Sequence, residues 1–320
     1  MTKPLVVLDL PLPPFLQEQL DSHCETRPWS LFQERDAAEL QKIEGIYTYA
    51  HPLVDGPMLD RLPALKVISN FGVGVDHIDL NAAATREIPV GNTPGAVDGA
   101  TADMTMALLL AAARNLVIGN RFARGPEYTH HNPSLLLGAE VFGSTLGIVG
   151  MGRVGSAVAK RARGFEMRML YHNRRRNPEA EQALRVEYCS LPSLLSQSHF
   201  VSLNVPLTSE TWHLIGETEL RMMRRDAILI NIARGPVVDH LALYRALKEG
   251  WIAAAALDVT EPEPLPRDHP LLNLDNLVIV PHLGSATVRT RQHMGEMAAA
   301  NLAAGLKGAP LPFEVRLWKH

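Results

Sequence analysis

The chain has 320 residues, enough for two cores of ordinary domain size. Its 46% apolar and 20% charged residues are the balance of a globular protein, and a net charge of −3 supplies no global basic field for nucleic acid or an anionic membrane. Two distant cysteines, Cys24 and Cys189, exclude a disulfide framework or a spaced zinc-thiolate set, and the longest apolar run, near residues 106–113, is too short to span a bilayer.

Met1 leads within a few residues into a strand-like LVVLD (5–9), with no apolar leader and no small-residue cleavage site, so a cytoplasmic protein is expected. Further strand-like runs follow at GIYTY (45–49) and LKVISN (65–70). The third opens into NFGVGVDH (70–77), which has Gly72 and Gly74 but His77 where a third glycine of a phosphate turn would stand. Its Val73–Gly74 turn leaves backbone N–H groups for a small anion, such as a substrate carboxylate. Asp76 and His77 are expected to stabilise the turn rather than to react.

An Ala-, Leu- and Met-rich helix is predicted over 98–116. Residues 117–143 have weaker periodicity, yet carry Phe122, Tyr128, Leu135, Leu136, Leu137 and Phe142. They read equally as a self-packed loop or as an arm that grips a second copy of the chain. Strand-like runs resume at 145–150, 168–173, 200–205, 227–232, 254–259 and 276–280, and a second long helix is predicted over 290–306. Several of these runs are apolar without alternation, as in parallel strands covered on both faces. The alternation predicts α/β architecture with two doubly wound parallel-sheet domains. Read as crossings, the two long helices give a discontinuous substrate domain at 1–98 and 288–320 and a dinucleotide-binding domain at 99–287.

After the run at 145–150 comes GMGRVG, a complete glycine turn with Gly150, Gly152 and Gly155. Gly150 permits the turn, Gly152 lets the backbone approach a pyrophosphate, and Gly155 lets the helix pack on its strand. The helix N-terminus, including Val154, supplies dipole and donors, and Arg153 can add a cation. Eighteen residues after Gly155, where NAD-binding chains place an acid for the ribose hydroxyl, stands Asn173, followed by Arg174, Arg175 and Arg176. A neutral residue and two guanidinium groups suit a ribose 2′-phosphate, so NADP(H) is expected in preference to NAD(H), with Arg176 turned to solvent.

Three later runs end in polar residues: Arg234 in INIARGPVVD, Asp258 and Glu263 in AAALDVTEPEP, and His282 in VIVPHLGSAT. In open α/β sheets, ligands sit beyond the carboxyl ends of strands. The reduction of a 2-oxo acid needs a cation for the carboxylate and carbonyl, which Arg234 supplies, and a proton donor, which His282 supplies. Glu263 would bond the other ring nitrogen and keep the imidazole protonated, while Asp258 would accept from the nicotinamide carboxamide. The remaining histidines, including His130 and His131, show no metal spacing.

With these motifs the chain resembles the D-isomer-specific 2-hydroxyacid dehydrogenases over nearly its whole length, and among them the glyoxylate/hydroxypyruvate reductases. The resemblance implies a Rossmann-type cofactor domain inserted in a flavodoxin-like substrate domain. It implies catalysis by Arg234, Glu263 and His282, and substrate binding by Val73, Gly74, Arg234 and His282. It also implies cofactor contacts at Arg153 to Gly155, at Asn173 to Arg176, at the Val205–Pro206 turn, and at Ile232, Asp258 and Gly284. Dimerisation through the cofactor domain is implied too, which favours the arm reading of 117–143. There is one departure. Similar reductases carry tryptophans in that arm, whereas this chain has none between Trp29 and Trp212, and Tyr128, His131 or Leu135 stand in their place. A roomier pocket would suit 2-ketogluconate, the rival substrate. The corepressors of this fold are a rival of another class, disfavoured by the short chain ends and the NADP-suited arginines.

Overall fold

The computed structural model describes residues 3–32 and 37–315. The chain divides into two compact units, Met1–Val97 with Thr287–His320, and Asp98–Ala286.

The first unit is built on five parallel strands: β1 (Leu5–Leu8), β2 (Glu25–Pro28), β3 (Ile43–Thr48), β4 (Val67–Asn70) and β5 (Val90–Gly91). Their order is β2-β1-β3-β4-β5, the flavodoxin-like arrangement. Successive side chains of a strand point to opposite faces. Val6 and Tyr47 accordingly pack with Met294, Ala298 and Leu302 of the helix Val288–Leu306, while Val7 and Ile46 pack with Leu59, Leu62 and Ala83 on the other side. The returning helix is tied in by buried Asn301, which donates to the Asn92 carbonyl at 3.0 Å and accepts from the Phe313 amide at 2.9 Å.

The second unit has seven parallel strands: β6 (Thr145–Val149), β7 (Arg168–His172), β8 (Glu187–Tyr188), β9 (Phe200–Leu203), β10 (Ile228–Asn231), β11 (Ala254–Leu257) and β12 (Leu277–Ile279). They run in the order β12-β11-β10-β9-β6-β7-β8. The chain leaves β6 toward one edge through β7 and then returns to β9 on the other side. The crevice at this reversal, beyond the carboxyl ends of β6 and β9, is where such sheets take ligands. Helices Asp98–Ala113 and Arg153–Ala162 share one core with Ile148 and Ile230; Leu194, Leu220, Leu243 and Leu247 share the other with Val201 and Leu229.

The nine strands expected from apolar runs are present, eight of them shorter than expected and β3 beginning two residues earlier, at Ile43. Three more, β2, β5 and β8, are short edge or outer strands. β2 reads Glu-Thr-Arg-Pro and β8 is exposed, so pairing rather than burial creates them. The first long helix ends at Ala113 rather than 116. Asn115 takes a left-handed φ of 51°, its side-chain Nδ2 donates to the Leu136 and Leu137 carbonyls at 3.3 Å, and a separate helix, Leu116–Arg124, departs at 60°. The stretch beginning at 117 is thus helical before it becomes irregular. No residue of that helix is buried, and Tyr128, Leu137 and Phe142 beyond it are exposed. Among the described residues no single helix is long and apolar enough to cross a membrane.

Candidate active site

The turn after β6 is shaped by what its glycines exclude. A Cβ on Gly155 would meet the Gly150 carbonyl oxygen at 2.1 Å, so only glycine lets the helix start this close to its strand. Gly150 takes φ 99° and approaches the Asn204 carbonyl beyond β9. Beside Gly152, by contrast, there is open space. Gly152 caps the helix Arg153–Ala162 without any side-chain bond, which leaves the helix donors facing that space. The dipole and the N-terminal amides of a helix start favour an anion.

The cations around it are partly engaged. Arg153 Nε donates to Asp98 Oδ2 at 2.8 Å. Asn173 Oδ1 accepts the Met151 amide at 2.7 Å and so ties the end of β7 to the glycine turn, a link the spacing alone did not reveal. Arg174 Nη1 pairs with Glu210 Oε2 at 2.5 Å, and both side chains are exposed. Arg175 is exposed as well. Arg176 is not simply turned to solvent. It grips Glu181 with Nε and Nη2, each at 2.7 Å, and with the Tyr171 hydroxyl it pulls that carboxyl down to about 2. Its work is to hold the helix Pro178–Leu184 against β7.

The polar set predicted beyond the later strands comes from three neighbours in the sheet, β10, β11 and β12. Arg234 follows β10, with Nη1 on the Ala233 carbonyl at 2.9 Å and its own carbonyl held by Asn231 Nδ2 at 2.9 Å. Asp258 ends β11 and is buried. Its carboxylate accepts the Leu283 amide at 2.6 Å and the Gly284 amide at 2.9 Å. Burial raises the Asp258 carboxyl above its ordinary value, against the pull of those two amides. The aspartate thus anchors the loop that presents His282, a role its position in the sequence did not disclose. A Cβ on Gly284 would lie 2.9 Å from Asp258 Oδ2 and 3.5 Å from Ile232, so the loop needs glycine there. Val205, next to Gly150, and Pro206, whose carbonyl accepts from Thr211 Oγ1 at 2.6 Å, form the turn beyond β9.

His282 takes a left-handed φ of 54°, and its Nδ1 lies 2.7 Å from Glu263 Oε1. A carboxylate only accepts, so Nδ1 carries the proton in this pair. The two side chains are 30% and 39% exposed, open enough for a solute to reach. Among the described residues no group of three metal-ligating side chains comes together.

In the first unit, Asn70 Nδ2 donates to the Gly72 and Gly74 carbonyls at 2.9 and 2.8 Å, and Asn92 Nδ2 donates to the Val73 carbonyl at 2.7 Å. In a trans peptide the N–H opposes the C=O. The amides of Val73 and Gly74 therefore point away from these asparagines. His77 packs edge-on against His51, with centroids 5.0 Å apart, consistent with a supporting place in the turn.

Known proteins supply the comparison. The profile of the D-isomer specific 2-hydroxyacid dehydrogenase family, NAD binding domain, matches residues 106–284. A glyoxylate reductase of Korarchaeum cryptofilum is 52% identical over 256 residues, covering 80% of this chain and 77% of its own. One from Thermococcus gammatolerans is 43% identical over 320 residues, covering 97% and 95%. The crystal structure of an NADPH-dependent glyoxylate/hydroxypyruvate reductase from Sinorhizobium meliloti, in complex with NADP and malonate, superposes with a TM-score of 0.88 at 30% identity, covering 98% of this chain and 97% of that one. A glycine cradle at the sheet reversal and an imidazole–carboxylate pair beyond its strands thus accompany a family match across most of the second unit, and the chain belongs to the D-isomer specific 2-hydroxyacid dehydrogenases, as an NAD(P)-dependent dehydrogenase.

Proposed function

We propose that this enzyme reduces small 2-oxo acids, glyoxylate and hydroxypyruvate, to the corresponding 2-hydroxy acids (D-configured where chiral), with NADP(H) preferred over NAD(H). The observation that carries the reading is the 2.7 Å His282–Glu263 pair at the carboxyl end of the sheet that holds the cofactor turn. Bound at that turn, the nicotinamide cofactor supplies the hydride. Arg234 binds the substrate's carboxylate and carbonyl oxygens, and its charge stabilises the oxyanion as it develops. His282 holds a proton on Nε2 and delivers it to that oxygen, while Glu263 fixes the ring and stabilises its charged form. The Val73 and Gly74 amides are assigned to the substrate carboxylate because the carbonyls of the same two peptides, those of Gly72 and Val73, are already held by Asn70 and Asn92.

The cofactor contacts follow the same logic. Gly150, Gly152, Arg153, Val154 and Gly155 take the pyrophosphate, and Val205, Pro206, Ile232, Asp258 and Gly284 surround the rest of the molecule. Asn173, Arg174 and Arg175 take the 2′-phosphate. The exposed Arg174–Glu210 pair is worth at most about 1 kcal/mol, less than the charge-assisted bonds that a phosphate offers the same guanidinium. The Sinorhizobium protein, described as NADPH-dependent, supports this choice. The exposed helix Leu116–Arg124 and the residues after it support a homodimer through the cofactor unit.

The test is His282→Ala, assayed on glyoxylate and hydroxypyruvate with NADPH. Turnover is expected to fall by on the order of 10²–10⁴-fold, the contribution of a positioned general acid, with NADPH affinity retained. Full activity removes His282 from the mechanism. Leu135, 38% exposed where similar reductases place an indole, favours a second reading, and faster turnover of 2-ketogluconate in the same assay would replace the proposed substrates.

A further inference from the structure

The turn that carries Glu263 carries another glutamate two residues earlier, and it too is paired with an imidazole. Glu261 Oε2 lies 3.1 Å from His213 Nε2. Both paired histidines sit on left-handed backbone, at φ 54° for His282 and 47° for His213. For a non-glycine residue that conformation is unfavourable, and it persists where the surroundings impose it.

The turn has few other ties. Thr260 Oγ1 donates to the Pro262 carbonyl at 2.9 Å, and the Thr260 amide reaches Glu263 Oε2 only at 3.4 Å; both bonds stay inside the turn. Leu265 anchors the far side in the core. The two glutamates carry side-chain bonds out of the turn, and Arg267 Nε donates into its far end at the Leu265 carbonyl at 3.2 Å.

His213 is itself well held. Its amide donates to the Pro236 carbonyl at 2.8 Å, and Ile215 bridges Val238 in parallel register. The Trp212 indole stacks on its ring, with centroids 4.8 Å apart and planes inclined by 24°. Residues 236–238 follow Arg234 almost directly. Gly235 lies so close to the turn that a Cβ there would meet the Thr260 carbonyl oxygen at 1.9 Å. One bracket therefore refers the Glu263 turn and the Arg234 segment to the same frame.

We infer that Glu261, through His213, is a positioning residue for proton transfer: it fixes the turn from which Glu263 orients His282. It touches no reacting atom. His240, which Asp239 and His269 also face, lies within electrostatic reach of His213, and Asp258 lies near both His282 and Glu263.

The inference rests on the proposed roles of Arg234, Glu263 and His282, and the experiment separates the two. Glu261→Ala, Glu261→Gln, His213→Ala and His282→Ala are compared with wild type on glyoxylate and hydroxypyruvate with NADPH. The ligand-free proteins are read by the downfield Nδ1 proton resonance of imidazole 282 under ¹⁵N-histidine labelling. Glu261→Ala should lose on the order of tenfold in kcat, the effect of a small misplacement, with the KM for NADPH unchanged and the resonance broadened. Glu261→Gln retains a hydrogen bond to His213 and should recover most of that loss. His213→Ala, which removes the imidazole from the other side, should reproduce the loss and serves as the test if Glu261→Ala does not fold. Unchanged kcat and resonance in Glu261→Ala or His213→Ala, with His282→Ala inactive, overturn the inference alone. Equal losses in the Ala and Gln variants at 261 also overturn it. Undiminished turnover in His282→Ala overturns it together with the reading beneath it.

Discussion

At the scale of single residues, the cofactor choice turns on position 173. Asn173 accepts the Met151 amide, and an aspartate there would accept the same bond, so the turn should survive the exchange. What changes is the charge next to the ribose. Asn173→Asp combined with Arg174→Ala sets an anion against the 2′-phosphate and removes a cation from it. Each hydrogen bond to a charged group is worth about 1.5–3 kcal/mol, so kcat/KM for NADPH should fall by on the order of 10- to 100-fold while NADH gains. An unchanged ratio of the two cofactors would refute the phosphate assignment. The arginine run shows how far residue types alone carry an argument. Three adjacent guanidinium groups read alike in sequence, yet Arg176 is engaged by Glu181, Arg174 is held by an exposed carboxylate, and Arg175 is exposed. Those differences arise from residues 5 to 36 positions away, which no local pattern discloses.

At the scale of elements, the apolar runs located the strands that are buried on both faces, because continuous Val, Ile, Leu and Ala at such spacing has few other uses. They missed β2, β5 and β8, whose existence depends on a neighbour to pair with rather than on their own side chains. The glycine turn was legible because its constraint is local: strand, turn and helix are contiguous. Asp258 as anchor of the His282 loop was not, since its amide partners stand 25 and 26 residues on. The helix His240–Lys248 carries a comparable hidden cost. Asp239 caps it by accepting the Leu241 and Ala242 amides, which turns His240 into the core at 5% exposure. Burial, reinforced by His269, lowers the His240 imidazole from its ordinary value to about 4. Above the unfolded value near 6.5 the ring is neutral in both states and costs nothing. As pH falls from there toward 4, the unfolded chain takes up a proton that the folded chain refuses, so stability declines by up to about 3 kcal/mol. Denaturant titrations at pH 7.5 and 4.5 should show this loss in wild type and a smaller one in His240→Leu; equal losses would show that another group drives the acid limb.

At the scale of the whole molecule, the exposed apolar surface of the second unit is what remains to be covered. The helix Leu116–Arg124 has no buried residue, yet Leu116 is 61% exposed, and Leu137 and Phe142 are exposed beyond it. Large apolar side chains scattered singly over a surface are unremarkable, but several within one 27-residue stretch are the place to test for an interface. The helix makes little sense as a free-standing element, since nine residues are too few to hold a helix in water without packing. A second copy of the same stretch supplies a matching apolar face by symmetry, as in isologous dimers. Burying one leucine contributes about 1.5–3 kcal/mol, and a twofold axis doubles every contribution, so placing charges there should be decisive. Wild type is expected to sediment at twice its 35.2 kDa chain mass at micromolar concentration, and Leu116→Glu with Leu137→Glu at the mass of one chain with its far-UV spectrum intact. A wild-type protein that sediments as a single chain would assign these leucines to some other partner.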